Sequence, residues 1–281
     1  MDPIFPPELE REILETAAYR DRSLIPSLLR VCRRVHHWIE PLLYRVLVLN
    51  DGPDPRLLAA FQSKPTPFLR QNLRHFFVDY ENSIKDTVKD ILAGCPDLIS
   101  LFFDGNLPPD FLPLLDAMRI TKLNLWISDE MNSWANSTLS RPMLRSVTHL
   151  ELFNSTNHPL VAPAAWEAWS GLTLLPTLTH LCLSDDLSKL LLDLVIEHCN
   201  SLQLILAAFW DPELRPTESA MQYAEGLTTT DPRVVVMNMT HFTSDWERAA
   251  WGGEDFWVRA ERFVARKRKG DIERTCHYLD E

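Results

Sequence analysis

Glycine is scarce in this chain. There are eight in 281 residues, and none falls in a GxGxxG or GxxxxGK[ST] spacing. A loop that cradles phosphates needs glycines there so that backbone N–H groups can approach the anion. Dinucleotide and nucleoside-triphosphate chemistry therefore lacks its usual scaffold. The signatures Gly-x-Ser-x-Gly, HExxH, HxE…CxxC and SxxK are also missing, so serine hydrolase, zinc protease, zinc deaminase and β-lactamase readings have no support. Cysteine is sparse and scattered (Cys32, Cys95, Cys182, Cys199, Cys276), odd in number and never spaced as CxxC. That pattern favours a reducing compartment with buried thiols over a disulfide framework or a zinc knuckle. Long apolar runs are wanting too. Leu190–Ile196 is interrupted by Asp193 and falls far short of the roughly 20 residues that span a bilayer. The start, Met1-Asp2-Pro3-Ile4-Phe5, has neither a basic segment nor an apolar core, so no signal peptide is expected. The expected location is cytoplasmic or nuclear, with no membrane partner.

Basic charge is in deficit: 28 Lys+Arg against 39 Asp+Glu, a net charge of −11. A surface of that sign repels nucleic acid, so no nucleic-acid partner is expected. Residues 1–50 are balanced, with seven of each sign, so the acidic surplus lies beyond them.

The opening residues are organised as short helices. Pro6 and Pro7 suit a first turn, where the missing N–H would be unpaired anyway, and Glu8, Glu10 and Glu12 complement the positive helix end. Leu9, Ile13 and Ala17 make one apolar stripe. After a break at Asp21-Arg22-Ser23 and Pro26, a second periodic run carries Leu28, Val31, Cys32, Val35, Trp38, Ile39 and Leu42, with Pro41 splitting off its end. Helices this short bury little surface alone, so their stripe should pack on something else.

This segment resembles the F-box family, its fungal members in particular. The resemblance rests on Phe5-Pro6-Pro7-Glu8-Leu9 with Ile13, on Leu28-Leu29-Arg30-Val31-Cys32-Arg33-Arg34-Val35, and on Trp38 through Val46, and it covers residues 1–46. Phe5-Pro6 stands where the family opens with Leu-Pro. The resemblance implies docking on the SKP-type adaptor of a cullin–RING ubiquitin ligase. Carried over by position, Pro6, Leu9, Ile13, Leu28, Val31, Cys32 and Trp38 would make that contact. The alternative is that the same residues only hold the helices together and against the next domain.

Residues 47–281 read differently. The pattern apolar-x-x-apolar-x-apolar begins at Leu73, Leu98, Ile120, Val147, Leu178 and Leu202, at gaps of 25, 22, 27, 31 and 24 residues. Leu43–Val48 opens the series and Val234-Val235-Val236 closes it. Helical stripes fall between: Ile84, Val88, Ile91 and Leu92; then Phe111, Leu114, Leu115 and Met118; then Leu187 through Val195; and last Phe256 through Val264. This is similar to a leucine-rich repeat of irregular period. The column in which that family places Asn or Cys reads Glu81, Asn106, Ser128, Ser155, Asp186 and Trp210. The expected fold class is α/β: a short helical F-box, then an irregular leucine-rich-repeat solenoid of parallel strands and helical crossovers. The Trp-rich stretch from Asp245 to Trp257 is expected to cap its end.

In that register the columns between the repeat leucines face away from the helices. One reads His75, Ser100, Lys122, His149, His180 and Leu204; the next Phe77, Phe102, Asn124, Glu151, Cys182 and Leu206; the third Asp79, Asp104, Trp126, Phe153, Ser184 and Ala208. Phe77, Phe102, Trp126 and Phe153 would form an exposed aromatic patch, a candidate surface for an unidentified client protein. A covering loop, or a slip of one residue, would bury them instead. His149, Glu151, His180 and Cys182 occupy matching columns and could converge as zinc ligands. Ligands on neighbouring strands seldom close a tetrahedron, so no metal and no cofactor is expected. The run Arg262, Arg266, Lys267, Arg268 and Lys269 reads as a solvated helix end or as an import signal. The function expected is that of a non-enzymatic adaptor, joining a ligase to a client; the alternative is a repeat scaffold unconnected with ubiquitin.

Overall fold

A computed structural model describes residues 5–50, 54–127, 139–154, 166, 169–184, 188–209 and 219–280. Eight strands form one open sheet: β1 (Val46–Leu49), β2 (His75–Asp79), β3 (Ser100–Asp104), β4 (Lys122–Ile127), β5 (His149–Asn154), β6 (His180–Ser184), β7 (Leu204–Phe209) and β8 (Val234–Asn238). Their spatial order is their sequence order, and every pairing is parallel. The protein is α/β, as the alternation of periods requires. The expected register also holds: His75 pairs with Ser100, Ser100 with Lys122, Lys122 with His149, His149 with His180, and His180 with Leu204.

Strands β2 to β7 enter the sheet by one repeated device. Two successive N–H groups converge on a single carbonyl of the preceding strand's entry. Thr148 and His149 donate to Thr121 O, and Thr179 and His180 donate to Thr148 O. The Thr148 and Thr179 hydroxyls donate to those same carbonyls at 3.0 and 3.2 Å.

One sheet face carries the repeat leucines. Phe76, Val78, Leu101, Phe103, Leu123, Leu125, Leu150, Leu152, Leu181 and Ile205 pack there. The helices over them include α4 (Pro55–Gln62), α5 (Thr66–Asn72), α6 (Lys85–Gly94), α7 (Leu112–Asp116), α8 (Lys189–His198) and α9 (Ala220–Glu225). Of the expected stripes, Val88, Ile91 and Leu92 fall on α6 with Ile84 just before it, and Leu114 and Leu115 on α7 with Phe111 just before and Met118 just after it. Leu190, Leu191, Leu194 and Val195 fall on α8, while Leu187 lies outside the described residues. In the turn column, Glu81 and Asn106 are described, while Ser128, Ser155, Asp186 and Trp210 lie outside the described residues.

The other sheet face is covered as well. Helices α10 (Phe242–Ala250) and α11 (Phe256–Lys269) lie across it and build a second core. This corrects the expectation of an end cap: the Trp-rich stretch folds back over the sheet instead of closing the stack. The turn between the two helices is possible because Gly252 adopts φ +76°, a left-handed conformation that a side chain disfavours. Asp245 ties the pair together, accepting from Arg259 at 2.6 Å and from Arg248 at 3.0 Å. Beyond α11 the chain returns along β8. Val236 N–H donates to His277 O and Leu279 N–H to Val236 O, both at 2.8 Å. Those bonds satisfy the free edge of the last strand.

Lys267, expected on a solvated helix end, is buried against that edge. Its ammonium donates to Val234 O at 2.8 Å and contacts His277 Nδ1 at 3.1 Å. Burial lowers its pKa to about 8.

The N-terminal helices form a separate small cluster. They are α1 (Pro7–Arg20), α2 (Ile25–Leu28) and α3 (Arg33–Ile39), with a 3-10 turn at Glu40–Tyr44 that begins just before Pro41. Ala18, Ile25, Val35, Ile39 and Leu42 are their buried core. The second periodic run is not one helix. It breaks between α2 and α3, where Cys32 is extended at φ −164°.

Candidate functional site

The helical break decides what the N-terminal cluster shows to solvent. A continuous helix would carry Val31 on the face of Val35 and Leu28. The break turns Val31 outward, where it is 63% exposed, and Cys32 is exposed beside it. On α1 the stripe splits in the same sense. Ala18 is buried and Leu14 packs on the cluster core, while Leu9 and Ile13 are 48% and 54% exposed. Pro6 is exposed; Leu28 and Trp38 are half-buried against the cluster. Glu10 pairs with Arg34, which stacks on Trp38 at 5.2 Å, so the start of α1 is held beside α3. Five of the seven expected docking residues are thus open to a partner, and two serve partly as core.

The cluster is anchored to the body through the sheet cover. Tyr19 packs edge-on against Trp251 at 5.7 Å, Arg22 lies over the same indole at 5.5 Å, and Arg22 also pairs with Glu247.

The aromatic patch is corrected by the structure. Phe77, Phe102 and Phe153 keep 4%, 2% and 2% exposure, and Trp126 is only partly exposed. Phe77 stacks on Phe102 at 4.2 Å, as adjacent column positions should. Above them Trp246 meets Phe77 at 5.4 Å, and Phe242 meets Phe102 at 4.8 Å and Phe153 at 5.9 Å. The column is right and its exposure is not, because a segment more than 80 residues downstream closes over it.

No family model, curated protein or solved structure matches this chain.

Polar groups collect under the cover where the sheet aromatics end. Glu151 is buried and accepts from Asn124 Nδ2 at 2.8 Å and from Trp257 Nε1 at 3.0 Å. Burial outweighs those two bonds and pushes its pKa up to about 7. Lys122 reaches Asp255 at 3.3 Å, and Asp255 also caps α11 through Val258 N–H. His75 is pulled down to about 3 by burial and then by Arg45, Lys122 and Arg74. These groups line a cavity of about 70 Å³ roofed by Trp246, Phe256 and Trp257. His75 Nε2 and Asn124 Oδ1 have no hydrogen-bond partner among the described residues. A polar hollow of that size takes one or two ordered waters.

The four residues weighed as zinc ligands do not assemble. Glu151 is committed to Asn124 and Trp257, and Cys182 is buried in the second core. His149 and His180 do come together, with rings stacked at 4.1 Å and 7°. Their third neighbour is Glu261 on α11, which sequence spacing gave no means to find. Of the cysteines, Cys95, Cys182 and Cys199 are buried, while Cys32 and Cys276 are exposed; all are free thiols. Burial raises Cys95 and Cys199 to about 11, far from an activated thiolate. Among the described residues no helix is long and apolar enough to cross a membrane.

Proposed function

We propose that this protein is a substrate-recruiting adaptor of a cullin–RING ubiquitin ligase, whose residues 1–46 dock on the SKP-type adaptor and whose repeat body carries a client protein. The observation that carries this reading is the exposure of Leu9, Ile13 and Val31 on a helical cluster that already has a core of its own. Apolar side chains that a fold leaves in solvent on one small module suit a helix-face contact with another chain. The body supports a repeat reading, because a strand order of one to eight without reversal is what stacked β–helix units produce. A doubly wound sheet would reverse direction at a switch point. The protein works by proximity and needs no catalytic group of its own.

The client surface is assigned away from Phe77, Phe102 and Phe153, which the cover occupies. A scaffold without ubiquitin chemistry is favoured by one observation, the tethering of the cluster to the cover through Trp251, which suits a module that merely finishes the body. Co-purification with the SKP-type adaptor separates the two readings. Binding by the natural chain that is lost in Leu9→Asp or Ile13→Asp, with the thermal transition unchanged, supports the adaptor. No binding by the natural chain supports the scaffold.

A further inference from the structure

We propose that His149, His180 and Glu261 form a binding site for one divalent cation of the zinc class, clamping α11 to the sheet. Among the described residues, their donor atoms all lie within 4.8 Å of one another. His149 and His180 hold paired positions on β5 and β6, so the sheet itself sets their spacing.

The hydrogen bonds accommodate a tautomer that leaves Nε2 free on both rings. Thr148 and Thr179 each have one hydroxyl proton, and each gives it to a carbonyl of the preceding strand. In the tautomer that keeps those bonds, the Oγ atoms, at 2.9 and 2.8 Å from Nδ1 of His149 and His180, accept from Nδ1–H. Both neutral rings then carry their lone pair on Nε2. This is the orientation in which histidine binds metal, with the other ring nitrogen donating to a fixed oxygen.

His180 Nε2 faces Glu261 Oε1 at 2.9 Å. With the lone pair on Nε2, that distance to a carboxylate oxygen is repulsive unless a cation lies beside the two; with the proton there, Nε2–H donates to Glu261 and metal binding must displace it. In a tetrahedral zinc site two donors about 2.1 Å from the ion stand about 3.4 Å apart, so the half-exposed Glu261 carboxylate draws back by about half an ångström on binding. Lys122, whose charge acts on both rings, is itself paired with Asp255. Two imidazole nitrogens and one carboxylate oxygen, with further positions open to water on the exposed side of Glu261, make a donor set that suits zinc. The rings are parallel, so the ion sits beside the stack. Binding turns the partly buried His149 ring out of parallel; His180 is the more buried of the two.

The test is calorimetric titration of the full metal-free chain with zinc chloride, with cobalt absorbance as a second readout. One equivalent should bind saturably and slow amide exchange along 258–264. Glu261→Gln, at a half-exposed carboxylate, should fold like the natural chain and bind at least about tenfold more weakly, and His149→Gln about a hundredfold more weakly. The proposal fails if binding does not saturate, because a proton then bridges His180 and Glu261. It fails equally if Glu261→Gln binds as tightly as the natural chain, because the ion then sits elsewhere.

Discussion

The N-terminal cluster and the second face of the sheet pose the same problem and solve it differently. Both present apolar side chains that their own local elements cannot cover. Over the sheet, α10 and α11 supply Phe242, Trp246, Phe256 and Trp257 and close the surface. Over the cluster the described residues supply no such cover: Trp251 meets its Tyr19 side, while Leu9, Ile13 and Val31 are exposed. Aromatic residues on a parallel sheet therefore mark an internal interface here, whereas aliphatic residues on three short helices stay exposed, where we propose an external one. The general physics agrees. Parallel sheets are stable with both faces buried, but a short helix commonly keeps one face for a partner.

The largest effect that would sharpen this contrast comes from removing part of the cover. Phe256, the first residue of α11, is fully buried in the second core, with its ring 5.6 Å from that of Phe242. Phe256→Ala should cost about 3–5 kcal/mol in urea unfolding, through lost transfer energy and the cavity left behind. A loss below about 1 kcal/mol would mean that the cover is a loosely held flap, and the comparison would break.

Next comes Glu151→Ala. It leaves Asn124 Nδ2 and Trp257 Nε1 buried without their acceptor, at a cost of about 2–3 kcal/mol. Glu151→Gln should recover most of it, because a turned Asn124 amide can then offer its unpaired Oδ1 to the new N–H. Equal instability of the two variants, measured side by side in urea, would show that packing and not hydrogen bonding ties Trp257 to the sheet.

His75 gives a third, pH-dependent test of how dry the covered face is. The unfolded chain takes up a proton on this residue below about 6.5, while the folded chain resists until about 3. The stability it retains above pH 6.5 is therefore lost as pH falls from there toward 3. At pH 5 the loss is about 2 kcal/mol. In His75→Phe the difference in unfolding free energy between pH 7 and pH 5 should shrink by about that amount. An unchanged difference would show that solvent reaches the ring.

How much of this was legible in the sequence follows from the range of each interaction. Strand register was legible, since Leu73-x-x-Phe76-x-Val78 and its kin repeat a local pattern that backbone pairing must obey. The cover was not, because joining Trp257 to Glu151 spans 106 residues and leaves no periodic trace. One signal did exist. Leu204 through Phe209 and Val234 through Met237 are apolar at every position, as strands buried on both faces must be, and they sit where α11 crosses. The alternation at His75, Lys122, His149 and Glu151 hid the same fact, because polar residues there look solvated until Asp255, Trp257 and Glu261 are placed above them. In the cluster, the Cys32 break escaped notice because Leu28, Val31, Cys32 and Val35 keep a helical spacing across it.

The smallest effect on stability is the one that bears hardest on function. Ile13 is half in solvent on α1 and lies outside the cluster core, which consists of Ala18, Ile25, Val35, Ile39 and Leu42. Ile13→Ala removes little buried area, so its unfolding free energy should stay within about 0.5 kcal/mol of the natural chain. Ile39→Ala, fully buried two helices away, should cost about 2–5 kcal/mol. The pair reads out whether Ile13 is surface or core, with Ile39 on α3 as the core reference. If Ile13→Ala proved as costly as Ile39→Ala, Ile13 would belong to the fold's own core and the cluster would have no spare surface. If it is neutral in urea yet weakens capture of the SKP-type adaptor tenfold, about 1.4 kcal/mol of binding comes from a side chain the monomer does not need. An apolar residue that contributes to association and not to folding is what an unshared docking face requires.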